Sequence, residues 1–305
     1  MNMAAHCQEP CMGTPVRYID KTRDYYLSQG YEKPYQWAQY DDVPFTPLGK
    51  PLSECRVTLI STSEISIVGD THPEDETRMG IVGGTYTIPS SLPASQLYSP
   101  SRSFDQAATT LEDVDAFFPT THLHAAAQAG RIGGVTERFH GVFNAYSQRR
   151  TRERDAPLVL ERCKEDGADV AILVPVCPVC HQTISLVSRH LEANGIPTVI
   201  LAAARDIVEH VGVARVVHTD FPLGNPCGEP GNAAQQREIL EYGFQLLERA
   251  FLPRTTVQSP MRWSAGEAWK DLVFTPQQPW KSGETEQDWL RKKELYKKLK
   301  QEGKV

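Results

Sequence analysis

Residues 167–204 read GADVAILVPVCPVCHQTISLVSRHLEANGIPTVILAAA. Asp169 to Val176 is a continuous apolar run, without the alternation that one solvated face would impose. It suits a strand buried on both faces of a parallel sheet. From about Val179 to Ala193, Ile184, Leu186, Val187 and Leu191 fall at helical spacing, and Asn194-Gly195 supplies a stop. Pro197 to Ala202 is the next buried strand. An amphipathic helix, Leu158 to Asp166 closed by Gly167, precedes this unit. Arg205 to Val211, Ala214 to Val217 and Gln235 to Ala250 continue it as helix, strand and helix. This alternation with short connections predicts an α/β fold: a doubly wound, mostly parallel sheet of the Rossmann or flavodoxin kind, with right-handed crossovers.

Outward from this unit the pattern loosens. Cys55 to Ser61 (CRVTLIS) reads as a buried strand, and Asp113 to Phe118 as another short one ended by Pro119. His122 to Arg131 is Ala-rich and helical, closed by Gly133-Gly134. Between them, Gly69 to Ser103 is rich in Gly, Pro, Ser and Thr and carries Glu74, Asp75 and Glu76; a connection this long reads as a functional loop or lid. Residues 1–50 form an aromatic arm (Tyr18, Tyr25, Tyr26, Tyr31, Tyr35, Trp37, Tyr40) that packs on the body or on a partner. Asp20 to Gln29 makes a short helix within it, stopped by Gly30. The chain divides into this arm, a first α/β lobe over 51–150, a second over 151–252 holding the Cys-x-x-Cys, and a Trp-rich extension over 253–305. That extension carries Trp263, Trp269, Trp280 and Trp289 and ends in the basic helical run RKKELYKKLK. The pattern permits two similar lobes, one starting at Cys55 and one at Asp169.

Composition narrows the function. The chain has 305 residues, 40% of them hydrophobic and 23% charged, enough apolar material for a packed core. Lys and Arg number 32 against 38 Asp and Glu, a net charge of −6, which is a poor footprint for binding nucleic acid. No apolar run reaches the roughly 18–20 residues that cross a bilayer, and MNMAAHCQEPCMG lacks a signal-peptide core, so the expectation is a cytoplasmic protein. Seven cysteines, an odd number, argue against a secreted disulfide framework.

Two of the seven form Cys177-Pro178-Val179-Cys180, directly after the buried strand and at the mouth of the next helix. Ligands in open α/β sheets bind beyond the carboxyl ends of strands. A helix N-terminus offers unpaired N–H groups and the positive end of the macrodipole, both of which favour a thiolate. Cys177 is therefore the candidate reactive thiolate and Cys180 the candidate resolving sulfur of a two-electron dithiol, with Pro178 stiffening the elbow. Three other readings stay open at this point: half of a zinc site, whose remaining ligands Cys163, Cys227 and His181 are scattered; an inert buried pair; and an iron–sulfur site. His181 could stabilise the Cys177 thiolate or protonate a leaving group, or lie on the helix surface. Arg205 could grip a substrate carboxylate, or pair with Asp206 or Glu209. Asp220 and Asn225, in the loop after the third strand, line a substrate pocket or shape a turn. His122 and His124 reach a cleft or serve as cap and core. Cys227 is a relay thiol or an inert loop cysteine. His6, Cys7 and Cys11 are spaced as a metal or relay group within a terminal segment.

The stretch 166–203, followed by HTDFPLGNPCGEPG, resembles the selenoprotein B family. These are the catalytic subunits of glycine, sarcosine and betaine reductases, with the related D-proline reductase subunit. Members share a strand ending in selenocysteine or cysteine with a cysteine three residues on, a "GIP" strand and a "PLGNP" loop. Here Cys177 stands at the selenocysteine position, and Gly195-Ile196-Pro197 and Pro222-Leu223-Gly224-Asn225-Pro226 match the other two. More loosely, PLSECRVTLIS resembles the first strand of the family, and Asp113 to Phe143 its next region. The resemblance implies reductive cleavage of a bond at a carbon next to a carbonyl, on a small-molecule substrate, with a dithiol as reductant. It implies no cofactor in this chain, a pyruvoyl group on a partner subunit, a thioredoxin-like donor, and a homo- or hetero-oligomer. Sulfur in place of selenium fits a more electrophilic substrate, a slower enzyme or an oxidising environment. The residues also allow a standalone thiol/disulfide enzyme acting on C–S, C–halogen or nitro electrophiles, and a non-catalytic subunit whose Cys-x-x-Cys holds metal.

Overall fold

The computed structural model describes residues 13–70, 84–144 and 147–280, with 287, 290–291, 294–295, 297–298 and 301–302 beyond them. In chain order the strands are β1 (Arg56–Ser61), β2 (Ser66–Ile67), β3 (Gly84–Pro89), β4 (Leu97–Tyr98), β5 (Gly134–Val135), β6 (Arg138–Phe143), β7 (Val170–Val174), β8 (Thr198–Ala202), β9 (Arg215–His218) and β10 (Thr255–Gln258). The helices are α1 (Tyr18–Ser28), α2 (Thr120–Gln128), α3 (Gln148–Arg150), α4 (Ala156–Glu165), α5 (Pro178–Glu192), α6 (Arg205–Val211), α7 (Ala233–Arg249) and α8 (Trp269–Leu272).

The sheet is ordered β10-β9-β8-β7-β1-β6-β3, with β5 also paired to β1. It is parallel except where β3 runs antiparallel to β6. The doubly wound α/β expectation holds. Because side chains alternate across a strand, each strand feeds two cores. Leu59, Ile172, Val199, Leu201 and Val217 point to the face covered by α2 and α7. Ile60, Leu173, Ile200, Ala202 and Val216 point to the face covered by α4, α5 and α6. Both sets are fully removed from water, or nearly so, which is why these segments read as unbroken apolar runs. Strands from 51–150 and from 151–252 hydrogen-bond side by side in this sheet, β1 against β7 over Val57 to Ser61.

After β1 the chain moves through α2 to β5 and β6; after β7 it moves the opposite way through α5 to β8. The carboxyl ends of β1 and β7 therefore flank the switch point of the sheet, the place where ligands bind in folds of this kind. One crossover departs from expectation. The β7–α5–β8 and β9–α7–β10 connections step in the same direction, yet α5 and α7 lie on opposite faces, so the two have opposite hands. The 14-residue link from Thr219 to Asn232 gives α7 the slack to reach the face where Val199, Leu201 and Val217 need cover.

Several elements differ from the sequence reading. Asp113 to Phe118 is a single 3-10 turn, Val114–Ala116, because the Asp113 side chain accepts the Asp115 N–H and curls the backbone. The helix placed at His122 to Arg131 runs from Thr120 to Gln128, and Gly130, with a φ of 68°, turns the chain away before Gly133-Gly134. The stretch Gly69 to Ser103 holds strands β3 and β4 in its described part; residues 71–83, with Glu74, Asp75 and Glu76, lie outside the described residues. Strands β6 and β10 carry no apolar run in the sequence that would mark them as strands. His6, Cys7, Cys11, Trp289 and much of the terminal basic run also lie outside the described residues.

The arm lies on the body. The Ala38 N–H donates to Gln182 Oε1 at 2.7 Å, Gln182 Nε2 donates to the Tyr35 hydroxyl at 2.7 Å, and the Arg189 guanidinium lies 4.1 Å over the Tyr40 ring. At the amino ends of β8 and β9, Arg215 and Glu192 form a fully buried ion pair, Nη1 to Oε1 2.8 Å. Glu192 also accepts the N–H groups of Thr46 and Thr198, and Arg215 donates to the Thr46 carbonyl beneath the Phe45 ring.

Candidate active site

β7 ends at Val174, and Pro175-Val176 carry the chain over the sheet edge to Cys177. Cys177 has extended geometry (φ −120°, ψ 167°) and is the N-cap of α5. Pro178 follows at the first helical position, where no N–H partner is needed. The Cys177 sulfur accepts the Cys180 backbone N–H at 3.2 Å, the role an Asp or Ser oxygen plays in ordinary capping. Cys177 and Cys180 are joined in a disulfide, and each residue is only 3% exposed.

His181, fully buried, is turned away from the sulfurs. Its Nδ1 lies 2.7 Å from the Cys177 carbonyl oxygen, and its Nε2 lies 3.2 and 3.0 Å from the backbone nitrogens of Ala203 and Ala204. A carbonyl only accepts and an amide N–H only donates, so the proton sits on Nδ1. Burial pushes the imidazole down to about 3, with His218 adding to the effect against the pull of the Cys177 carbonyl. The ring thus ties the elbow to the end of β8. His218 Nε2 lies 3.2 Å from the Ala203 carbonyl and extends the tie to β9.

The other candidate residues have partners of their own. Arg205 Nε donates to Glu209 Oε1 at 2.8 Å, on a groove shared with Thr14, Arg17 and His210. Asp220 holds Lys270 Nζ at 2.5 Å. Asn225 is buried; it accepts the Thr109 hydroxyl and donates to the Thr110 carbonyl at 3.2 Å, stapling that segment over the PLGNP loop. His122 bonds Gln236 and His124 bonds the Ser90 carbonyl. Burial pushes the Cys227 thiol well above its usual range, and its N–H is held by Ala116. The structure therefore brings Cys177, Cys180 and His181 together, while Arg205, Asp220 and Asn225 serve separate contacts along the same carboxyl edge.

One neighbour of the disulfide, Asn144, and one residue at the end of the adjoining strand, Thr62, escaped the sequence reading. Asn144, just past β6, directs Nδ2 at the Cys177 sulfur from 3.8 Å and accepts the Thr183 hydroxyl at 3.4 Å. Thr62, just past β1, donates its N–H to the Val174 carbonyl at 3.3 Å; its buried hydroxyl has no partner among the described residues. Recognising β6 as a strand would have put Asn144 at the sheet edge. Among the described residues no three His, Cys, Asp or Glu side chains gather to hold a metal ion, and no helix is long and apolar enough to cross a membrane.

Comparison with known proteins bears on this geometry. D-proline reductase subunit gamma of Acetoanaerobium sticklandii is 26% identical over 198 residues, covering 64% of this chain and 79% of that protein. Sarcosine reductase complex component B subunit beta of Peptoclostridium acidaminophilum is 23% identical over 238 residues, or 76% of this chain and 54% of that one. This chain is a homologue of these reductase subunits. Glycine reductase complex component B subunit gamma, from the same Peptoclostridium, is 23% identical over 224 residues, or 72% of this chain and 51% of the relative. The chain spans about half the length of the sarcosine and glycine reductase subunits that it matches. No family model matches it, and no solved structure does. All three relatives are named as subunits, and this chain shares their descent.

Proposed function

We propose that this chain is the thiol-bearing component of a reductase that cleaves a bond at a carbon next to a carbonyl. Cys177 attacks, Cys180 resolves, and a dithiol of the thioredoxin type restores the pair. The observation that carries the reading is the placement of the Cys177 sulfur: N-cap of a 15-residue helix, at the switch point of the sheet, bonded to Cys180. In the reduced form the N–H of Cys180 and the helix dipole favour the thiolate at Cys177, whereas Cys180 lies inside the first turn.

The electrons balance as follows. The Cys177 thiolate displaces the leaving group from carbon, and that group departs with the bonding pair and takes a proton. The Cys180 thiolate then attacks the Cys177 sulfur. The S–C bond breaks with its pair going to carbon, where the adjacent carbonyl spreads the charge until a proton arrives. One C–X bond becomes C–H, and one dithiol becomes the disulfide seen here. An amine leaves poorly unless activated, which a pyruvoyl group on a partner subunit would supply as an imine; the names of the relatives support a multi-subunit assembly. His181, neutral and turned to backbone, acts by positioning the elbow. Substrate contacts from Arg205, Asp220 or Asn225 would require each to exchange its present partner.

Mass spectrometry of the reduced protein with a small alkylating agent tests this. Label should enter Cys177 before Cys180, and Cys180→Ser should accumulate a substrate adduct on Cys177. Full turnover by Cys177→Ser with the complete set of partners would overturn the reading.

A further inference from the structure

Asn144 lies outside the Cys-x-x-Cys and on a different strand, yet its amide is the second N–H donor aimed at the Cys177 sulfur, after the Cys180 backbone. Its orientation is biased from behind. The single proton of the Thr183 hydroxyl, on α5, is shared between Asn144 Oδ1 at 3.4 Å and the Val179 carbonyl at 3.2 Å, which favours the Asn144 oxygen toward α5 and the NH2 toward sulfur. A disulfide sulfur is a weak acceptor and gains little from such a donor. A thiolate in the same place gains a charge-assisted hydrogen bond.

We propose that Asn144, oriented by Thr183, is a positioning residue that selectively stabilises the reduced form of the pair at Cys177 and so makes the disulfide easier to reduce. The inference rests on the dithiol reading above and names what tunes it. In the step concerned, two thiols of the reductant give two electrons to the S–S bond. Their own sulfurs join as a disulfide, one proton goes to Cys180, one is released to solvent, and Cys177 keeps its negative charge facing the Asn144 amide. Stabilising the reduced side of this couple shifts its equilibrium with an external thiol.

The measurement is the equilibrium constant for oxidation of the full-length protein in reduced and oxidised glutathione, read by alkylation and intact mass. Asn144→Leu keeps the approximate size of the side chain while removing the donor, and Asn144→Ala removes both. Each should raise the constant for disulfide formation about tenfold, the size of one hydrogen bond to a charged group. Thr183→Val should move it in the same direction by less, and Thr183→Ser should restore the native value. Constants within twofold of native for both Asn144 variants would overturn the inference. That result is distinct from failure of the dithiol reading, in which the native pair would not cycle or Cys177 would not be the sulfur labelled first.

Discussion

His181 donates from Nδ1 to the Cys177 carbonyl and accepts two backbone N–H groups at Nε2, so a second proton on the ring would face those N–H groups. Its pKa falls from an ordinary value of about 6.5 in the unfolded chain to about 3 in the fold. Between these values the unfolded chain binds a proton that the native protein refuses. The contribution of His181 to stability is therefore complete above about pH 6.5 and is lost as pH falls toward 3. His181→Gln, which keeps an acceptor for the Ala203 and Ala204 amides, should lose stability less steeply on acidification. The difference in slope should approach 1.4 kcal/mol per pH unit between about pH 6 and 4, read by urea unfolding at each pH. Identical slopes would mean that the buried ring is protonated in the native state. The residue sits beside the reactive pair in sequence, which suggested an acid or a thiolate partner. The helix turns it inward, and burial then removes its proton.

At the scale of elements, α5 is anchored at both ends by polar groups out of reach of water. Its N-terminus is capped by sulfur, and near its C-terminus Glu192 meets Arg215 from β9, Thr198 from β8 and Thr46 from the arm. Both charges are fully buried, so their value depends on keeping both. Arg215→Met should destabilise the protein by about 3–5 kcal/mol, because it leaves a buried carboxylate without its cation. Adding Glu192→Gln should recover about half of that loss by removing the unpaired charge, its one amide oxygen keeping either the Thr46 or the Thr198 N–H. Denaturant titration of the single and double variants measures both. Additive losses would show that the two side chains do not act as a pair. The opposite hands of the α5 and α7 crossovers belong to this scale as well. Short links predict right-handed connections, and only the long Thr219–Asn232 link lets α7 cover the second face.

For the whole molecule, the sheet places the disulfide at the switch point and leaves other candidate residues to hold the carboxyl edge together. Asn225 staples residues 109–110, Lys270 is clasped by Asp220, and Asp206 accepts the Ile19 N–H of α1. If the chain works as one component of an assembly, the purified chain alone should cycle its disulfide with a thioredoxin-type reductant yet turn over no amino-acid substrate. Turnover should begin when a pyruvoyl-bearing subunit is added, followed as substrate-dependent consumption of reductant. Turnover by the lone chain would favour the standalone thiol enzyme instead.

The sequence by itself determined the central α/β unit and the position of the reactive pair. Buried parallel strands must be apolar on both sides, helices must repeat their apolar positions every three to four residues, and an elbow between them is local chemistry. It also carried the family likeness, concentrated in the elbow, the Gly195-Ile196-Pro197 strand entry and the Pro222–Pro226 loop. Tertiary structure alone decided what faces the sulfur. Asn144 lies 33 residues before Cys177 and meets it only because β6 and β7 end at one edge. It likewise decided the state of His181 and the pairing of Arg215 with Glu192, because desolvation and hydrogen-bond partners depend on chain segments far apart in sequence.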